Sequence, residues 1–289
     1  MVKHILANGC SYTSGGLNDT ADRLDVAWPQ ILANKLDCKV TNLATSGAGN
    51  TRIYDLTIKE ISDNPDKYDL VVIMWSVATR IDIPALTIDT TNGKGNGYIS
   101  CCPFRVGFEG ENFSFETNKL EYMDSIKEPD NWQYQMHSFA EFVAYMNLIM
   151  DRDFRYIGKE KRTTIVNKFL TTEWTKILGL QSFLETQGIK YIFAQGTPMI
   201  TSNVLINLGY LEAQELIGEF IISNPLIDLI DTDKWVNWYP CISLGGYDYT
   251  QKLVDLNLYH SGTDNHPNEE GNIMIAEDFE NKYKKLYGS

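Results

Sequence analysis

Apolar residues in roughly the first ninety positions recur with two different periods, and the alternation predicts strands and helices in turn. Val2–Ala7 is a short, mostly apolar run that reads as a buried strand. Ala27–Leu36 places Ala27, Trp28, Ile31, Leu32 and Leu36 on one helical stripe. Cys38–Leu43 reads as a second strand, and Thr51–Ile61, with Ile53, Leu56, Ile58 and Ile61, as a second helix. Asp69–Trp75 is continuously apolar after its first residue, the pattern of a strand covered on both faces. Two β-α-β crossovers in succession predict a parallel sheet with helices on both sides.

The rhythm breaks over residues 85–135, where Asn92-Gly93-Lys94-Gly95-Asn96-Gly97 is turn-rich and Phe104–Phe108 begins a series of short aromatic and polar pieces. The reading is an insertion at about 85–160, built as a small hairpin or lid. Ile165–Leu184 then carries a long helical stripe that stops before Gly188, and Ile189–Ala194 follows as a strand. Asn203–Ile222 is mostly helical in pattern, and Leu226–Ile230 reads as a last short strand. Asn268–Leu286 is a closing helix, with Asn268 as N-cap, Glu269 and Glu270 at its positive end, and Lys284 and Lys285 at its negative end. The expectation is one domain over residues 1–289, an α/β three-layer sandwich with a central parallel sheet.

Composition narrows the partners. The chain has 289 residues, 43% of them hydrophobic, enough to bury a sizeable core. Its net charge of -13, from 25 basic and 38 acidic residues, argues against a nucleic acid or an anionic membrane as the main partner. Five cysteines without a CxxC pair exclude the common zinc and thioredoxin signatures and fit reduced thiols. The apolar residues before Asn8 are too few for a signal peptide, and no apolar stretch approaches the ~20 residues of a membrane span. A cytoplasmic protein that neither spans nor binds a membrane is therefore expected.

Candidate chemistry collects at strand ends and helix starts on one expected edge of the sheet, where open α/β sheets build their sites. Gly9-Cys10-Ser11-Tyr12-Thr13 follows the first strand. Asn42-Leu43-Ala44-Thr45-Ser46-Gly47-Ala48-Gly49-Asn50 follows the second, and Trp75-Ser76-Val77-Ala78-Thr79-Arg80 the third. Asp264-Asn265-His266-Pro267 precedes the last helix. Ser11, His266 and Asp264 can form a nucleophile, base and orienter. Cys10, beside Ser11 in a strand-end turn, is expected to point the other way. His260, Asp264 and His266 lack metal-ligand spacing, so neither a metal nor any other cofactor is expected. His4 and His137 read as structural, and Trp235, Trp238 and Tyr239 as a sugar-stacking platform or local packing.

The order of these four blocks resembles the SGNH (GDSL-type) hydrolases, over most of the chain except the middle insertion. The resemblance implies a flavodoxin-like sandwich with Ser11 as nucleophile, His266 as base and Asp264 as its partner. It also implies an oxyanion hole that includes the Ser11 and Gly47 backbone N–H groups. The chain departs from the family pattern at Cys10, where an aspartate is usual, and at Asp264-Asn265-His266, where Asp-x-x-His is usual. The third block departs further: Val77 and Ala78 stand where an asparagine would donate to the oxyanion, and neither side chain can donate. Loss of one such donor costs ~3 kcal/mol of transition-state stabilisation. Asn50, Ser76 and Arg80 are the candidates to replace it, and Arg80 and Trp75 to meet the substrate, although Trp75 also reads as sheet-end packing. The three N-terminal blocks are also similar to variant SGNH-like proteins of tailed phages, which implies a virion-associated location if the chain is phage-encoded. The resemblance implies a serine esterase or deacetylase acting on acetyl or short acyl esters, with a carbohydrate as the alcohol. A weakened or inactive virion or carbohydrate-binding protein, or an O-acyltransferase, are the alternatives it leaves.

Overall fold

The structure is a computed structural model that describes residues 2–15, 25–78, 80–84, 98–101, 159–198, 218–238, 244–261 and 264–288. Four parallel strands form the central sheet: β1 (His4–Asn8), β2 (Lys39–Asn42), β3 (Leu70–Trp75) and β6 (Lys190–Gln195). Their order is β2-β1-β3-β6. The chain leaves β1 towards β2 on one side and returns past β1 to β3 on the other. That reversal opens a crevice at the carboxyl ends of β1 and β3. All six residues of β3 are buried, as its unbroken apolar run requires. β2, at the sheet edge, is only partly buried and starts on the exposed Lys39.

Helices cover both faces. On one, α2 (Trp28–Lys35) packs against the closing helix α6 (Glu269–Tyr287), with the Trp28 and Phe279 rings stacked 4.3 Å apart. On the other, α3 (Asn50–Asp63) packs against α4 (Lys159–Thr186). Helix α6 begins on Asn268, whose side chain accepts from the Gly271 N–H, as expected. Gly188, with φ +68, terminates the α4 turn in the left-handed region.

Three stretches differ from the sequence reading. Leu226–Ile230 is not a strand: Ile227–Leu229 is a 3₁₀ turn. Asn224 starts it, its side-chain oxygen accepting from the Leu226 N–H and its carbonyl from the Ile227 N–H. Ile227 and Ile230, three apart, face the core while Leu229 is exposed, so the apolar run has a helical rather than a strand period. Among the described residues the sheet continues beside β6 as a bridge between Phe193 and Trp235. Second, β4 (Ile81–Pro84) and β5 (Tyr98–Cys101) pair antiparallel at the start of the expected insertion. The turn-rich 92–97, Phe104–Phe108, His137, Tyr239 and most of 203–222 lie outside the described residues. Third, the stretch before α6 holds a helix, α5 (Tyr249–Leu256), and a two-stranded ribbon of β7 (Tyr259–Ser261) and β8 (Asp264–Pro267). The 3₁₀ turn and the elements before α6 were not anticipated; the β4–β5 pair differs from the small hairpin or lid expected for the insertion in starting at Ile81.

Candidate active site

The turn that carries Ser11 is shaped by its flanking residues. At the end of β1 the Asn8 side chain accepts from the Gly9 N–H at 2.8 Å and donates to the Ile53 carbonyl and to Thr57 Oγ1, both at 3.0 Å, fixing the strand end to α3. Thr13, on the short helix α1 (Ser11–Ser14), folds back over Gly9. A Cβ at position 9 would stand 2.2 Å from Thr13 Oγ1, so only glycine fits. Cys10 caps α1 in an extended conformation with its side chain fully buried. Ser11, at the first helical position, stays partly exposed. Gly-x-Ser-x-Thr is thus a strand-to-helix corner that buries Cys10 and presents Ser11.

His266 lies on β8. Side chains two apart on a strand share a face, so Asp-x-His puts Asp264 and His266 side by side. That geometry accounts for a spacing that a turn would not favour. His266 Nε2 lies 2.7 Å from Ser11 Oγ and His266 Nδ1 lies 2.5 Å from Asp264 Oδ1. Because the ionised carboxylate only accepts, Nδ1 carries the proton, and Nε2 is left to accept from the Ser11 hydroxyl. The His266 N–H also donates to Asp264 Oδ1, at 3.0 Å. Burial raises the Asp264 carboxyl, but the hydrogen bonds from His266 and its charge outweigh burial and hold it below its ordinary value. Both side chains remain about one-fifth exposed, at 19% for His266 and 17% for Asp264, enough to be approached.

The second block lies against the turn that carries Ser11, the Thr45 N–H donating to the Gly9 carbonyl at 3.4 Å. Asn42 donates to the Thr13 carbonyl at 2.8 Å, tying the loop to the end of α1. Gly47 adopts φ +83. Gly49 is required for a different reason: a Cβ there would lie 2.6 Å from Asp82 Oδ2. Asp82 accepts from the Gly49 and Arg52 N–H groups, capping α3 from a neighbouring strand. Among the described residues the N–H groups of Ser11 and Gly47 donate to no protein acceptor.

Two candidates for the missing donor are already engaged. The Asn50 amide gives its protons to the Ser76 carbonyl at 3.0 Å and Glu173 Oε2 at 2.6 Å, while its oxygen accepts from the Ser76 N–H at 2.7 Å. Asn50 is therefore a structural bridge and not an oxyanion donor. Ser76 is fully buried, its Oγ accepting from Arg80 Nη1 at 3.0 Å. Arg80 Nη1 also donates to the Ala48 carbonyl at 2.9 Å, joining the second and third blocks. Trp75 is fully buried and packs edge-to-face on Phe193, 5.6 Å between centroids, so it belongs to the core and not to a substrate surface. Trp235 is buried likewise, between Phe193 and Trp238, which resolves that pair towards packing. Among the described residues no group of three or more His, Cys, Asp or Glu side chains is placed to hold a metal ion.

Sequence reasoning missed Glu173 and Gln195. Glu173 left a trace: it falls on the apolar stripe of α4, between Leu170 and Ile177, where a carboxylate is out of place. Burial raises its carboxyl despite the Lys176 ammonium and the Asn50 amide. Gln195 donates to the same Ser76 carbonyl at 2.9 Å.

No family model and no curated protein matches the chain in sequence. Solved structures do resemble it. The psychrotrophic esterase EstA from Pseudoalteromonas sp. is 10% identical with a TM-score of 0.46, the match covering 99% of this chain and 100% of that one. A member of the lipolytic protein G-D-S-L family from Veillonella parvula is 14% identical with a TM-score of 0.40, covering 99% and 98%. A carbohydrate esterase family 2 enzyme with a carbohydrate-binding domain, from Corynascus thermopiles, is 12% identical with a TM-score of 0.43, covering 99% and 67%. The structural neighbours are G-D-S-L and SGNH hydrolases and esterases. Identities this low say nothing about individual side chains. No described helix is long and apolar enough to cross a membrane.

Proposed function

We propose that the chain is a serine ester hydrolase for small acyl esters, acetyl esters of carbohydrates foremost, with Ser11 as nucleophile, His266 as base and Asp264 as the group that orients the imidazole. The continuous contact from Ser11 Oγ through both His266 ring nitrogens to Asp264 carries the proposal. In the reaction Ser11 Oγ attacks the ester carbonyl as His266 Nε2 takes its proton. The carbon–oxygen bond to the alcohol then breaks, and the same proton passes to the leaving alcohol. Water repeats the sequence on the acyl-enzyme and releases the acid. The Ser11 and Gly47 N–H groups face the developing oxyanion, and the Asp264 carboxylate stabilises the imidazolium. The acyl group and the sugar come from the resemblance and from neighbours that include a carbohydrate esterase. p-Nitrophenyl acetate hydrolysis tests the reading: wild type is expected to turn it over, and Ser11→Ala to lose at least 10³-fold in kcat, on the scale of removing a triad member.

A second reading is favoured by the third block. With Val77 and Ala78 in place of the donor and the Asn50 amide engaged elsewhere, the oxyanion hole has two backbone donors. The scaffold would then serve as a slow or silent carbohydrate-binding or virion protein. A folded wild-type protein without esterase activity or reaction at Ser11 would favour this reading over the first.

A further inference from the structure

Ser11 and His266 meet from opposite ends of the chain, and the element carrying His266 is a poor platform alone. β7 and β8 form a two-stranded ribbon whose register is irregular between Tyr259 and Ser261. Isolated ribbons of this kind are marginally stable in water. The ribbon's base is tied down: the Asn268 N–H donates to the Leu258 carbonyl at 3.1 Å. Gly271 packs so closely that a Cβ there would lie 2.3 Å from that carbonyl oxygen. These ties hold the Pro267 end and do not reach the residues between Asp264 and His266.

The nucleophile's own helix does reach them. Tyr12, next to Ser11 and only 5% exposed, donates its hydroxyl proton to the Asn265 carbonyl at 2.9 Å, between Asp264 and His266. The same oxygen accepts from Thr250 Oγ1 at 2.9 Å. Thr250 is in turn anchored to the end of β6, its N–H donating to the Gly196 carbonyl at 3.0 Å. The Tyr12 ring lies 5.1 Å from the His266 ring, tilted by 45°. With Thr250 supplying one proton to the phenol oxygen, the phenol's own proton is directed at Asn265. Burial pushes the Tyr12 phenol far up, only partly countered by Thr250, so it stays a donor at every useful pH.

We infer that Tyr12 is a positioning residue: its hydroxyl holds the Asp264–His266 strand in line with Ser11, and its ring sets the tilt of the imidazole. The inference rests on the triad reading, since a misplacement of the base by even 1 Å can cost a large factor in rate. Tyr12→Phe keeps the ring and removes the strut. Expected are a fall in kcat of about tenfold on p-nitrophenyl acetate, KM within twofold, a melting temperature within a few degrees of wild type, and faster amide hydrogen exchange across 259–267. Thr250→Val, which removes the outer partner alone, is expected to show the same pattern at about threefold, and it decides the matter if Tyr12→Phe does not fold. A wild type that a fluorophosphonate labels at Ser11, alongside a Tyr12→Phe variant with unchanged kcat, overturns the inference and leaves the triad standing. A wild type that neither labels nor turns over removes the hydrolase reading; the strut then stands or falls on the exchange rates, and unchanged exchange overturns it.

Discussion

At the residue scale, the site depends on which atoms have no room and which have no spare protons. Thr13 over Gly9 is the tightest case. Gly9→Ala is expected to cost roughly 1–3 kcal/mol in urea unfolding, as overpacking does, because the Thr13 side chain and the Met74 carbonyl both crowd the new methyl group. Equal midpoints for variant and wild type would contradict this. Asp264 governs the tautomer of His266. Asp264→Asn is expected to lower kcat by about 10³–10⁴ with little change in KM, since an amide that donates to Nδ1 would place the imidazole proton on the wrong nitrogen. The Asp264 carboxyl is also held below its ordinary value, so its contribution to stability is present above the unfolded carboxylate range. That contribution is lost as pH falls through the folded value.

At the element scale, the sequence made visible what periodicity controls and hid what tertiary partners decide. The strands around Leu6, Val40 and Val72 and the helices around Leu32 and Ile53 follow from apolar spacing, to within a residue or two at each end. Leu226–Ile230 was misread because a five-residue apolar run fits either period, and the deciding group was Asn224, outside the run. Asp264-Asn265-His266 was legible only as a departure in spacing, because the strand that makes that spacing productive depends on the ribbon it forms with β7. The end of α5 offers a pH test. Asp248 caps it by accepting from the Gln251 N–H, and burial, the largest effect, pushes its carboxyl up to about 6. A folded value above the unfolded one means that this group destabilises the fold progressively as pH rises from about 4 to 6. Asp248→Asn keeps an acceptor for the cap. It is expected to match wild type below pH 4 and to exceed it above pH 6, by up to about 3 kcal/mol from a two-unit shift. Denaturation curves for the two proteins that run parallel across that range would contradict the assignment.

At the scale of the whole molecule, four segments scattered over some 260 residues come together because β1 and β3 are adjacent and parallel, and because α6 returns the C-terminal ribbon to the end of β1. The block order made most of this gathering legible: Ser11, Gly47 and His266 were read from sequence as one site. The third block was legible only as a departure. Its replacement, a clamp in which Asn50, Gln195 and Arg80 all bond to Ser76 while Glu173 receives the Asn50 amide, could not be read because it joins four segments distant in sequence through side chains that meet around Ser76. The clamp ties the second block to the third and to α4, so the loop bearing Gly47 is held from below while its N–H remains open. Whether this arrangement hydrolyses esters rests on Ser11 being activated. The most direct measurement is reaction of the folded, full-length protein with a fluorophosphonate, followed by peptide mass mapping and by residual p-nitrophenyl acetate hydrolysis. The account predicts a single adduct on Ser11, loss of activity in step with labelling, and no adduct in Ser11→Ala. A folded wild-type protein that stays unlabelled, or hydrolysis that survives complete labelling of Ser11, would contradict it.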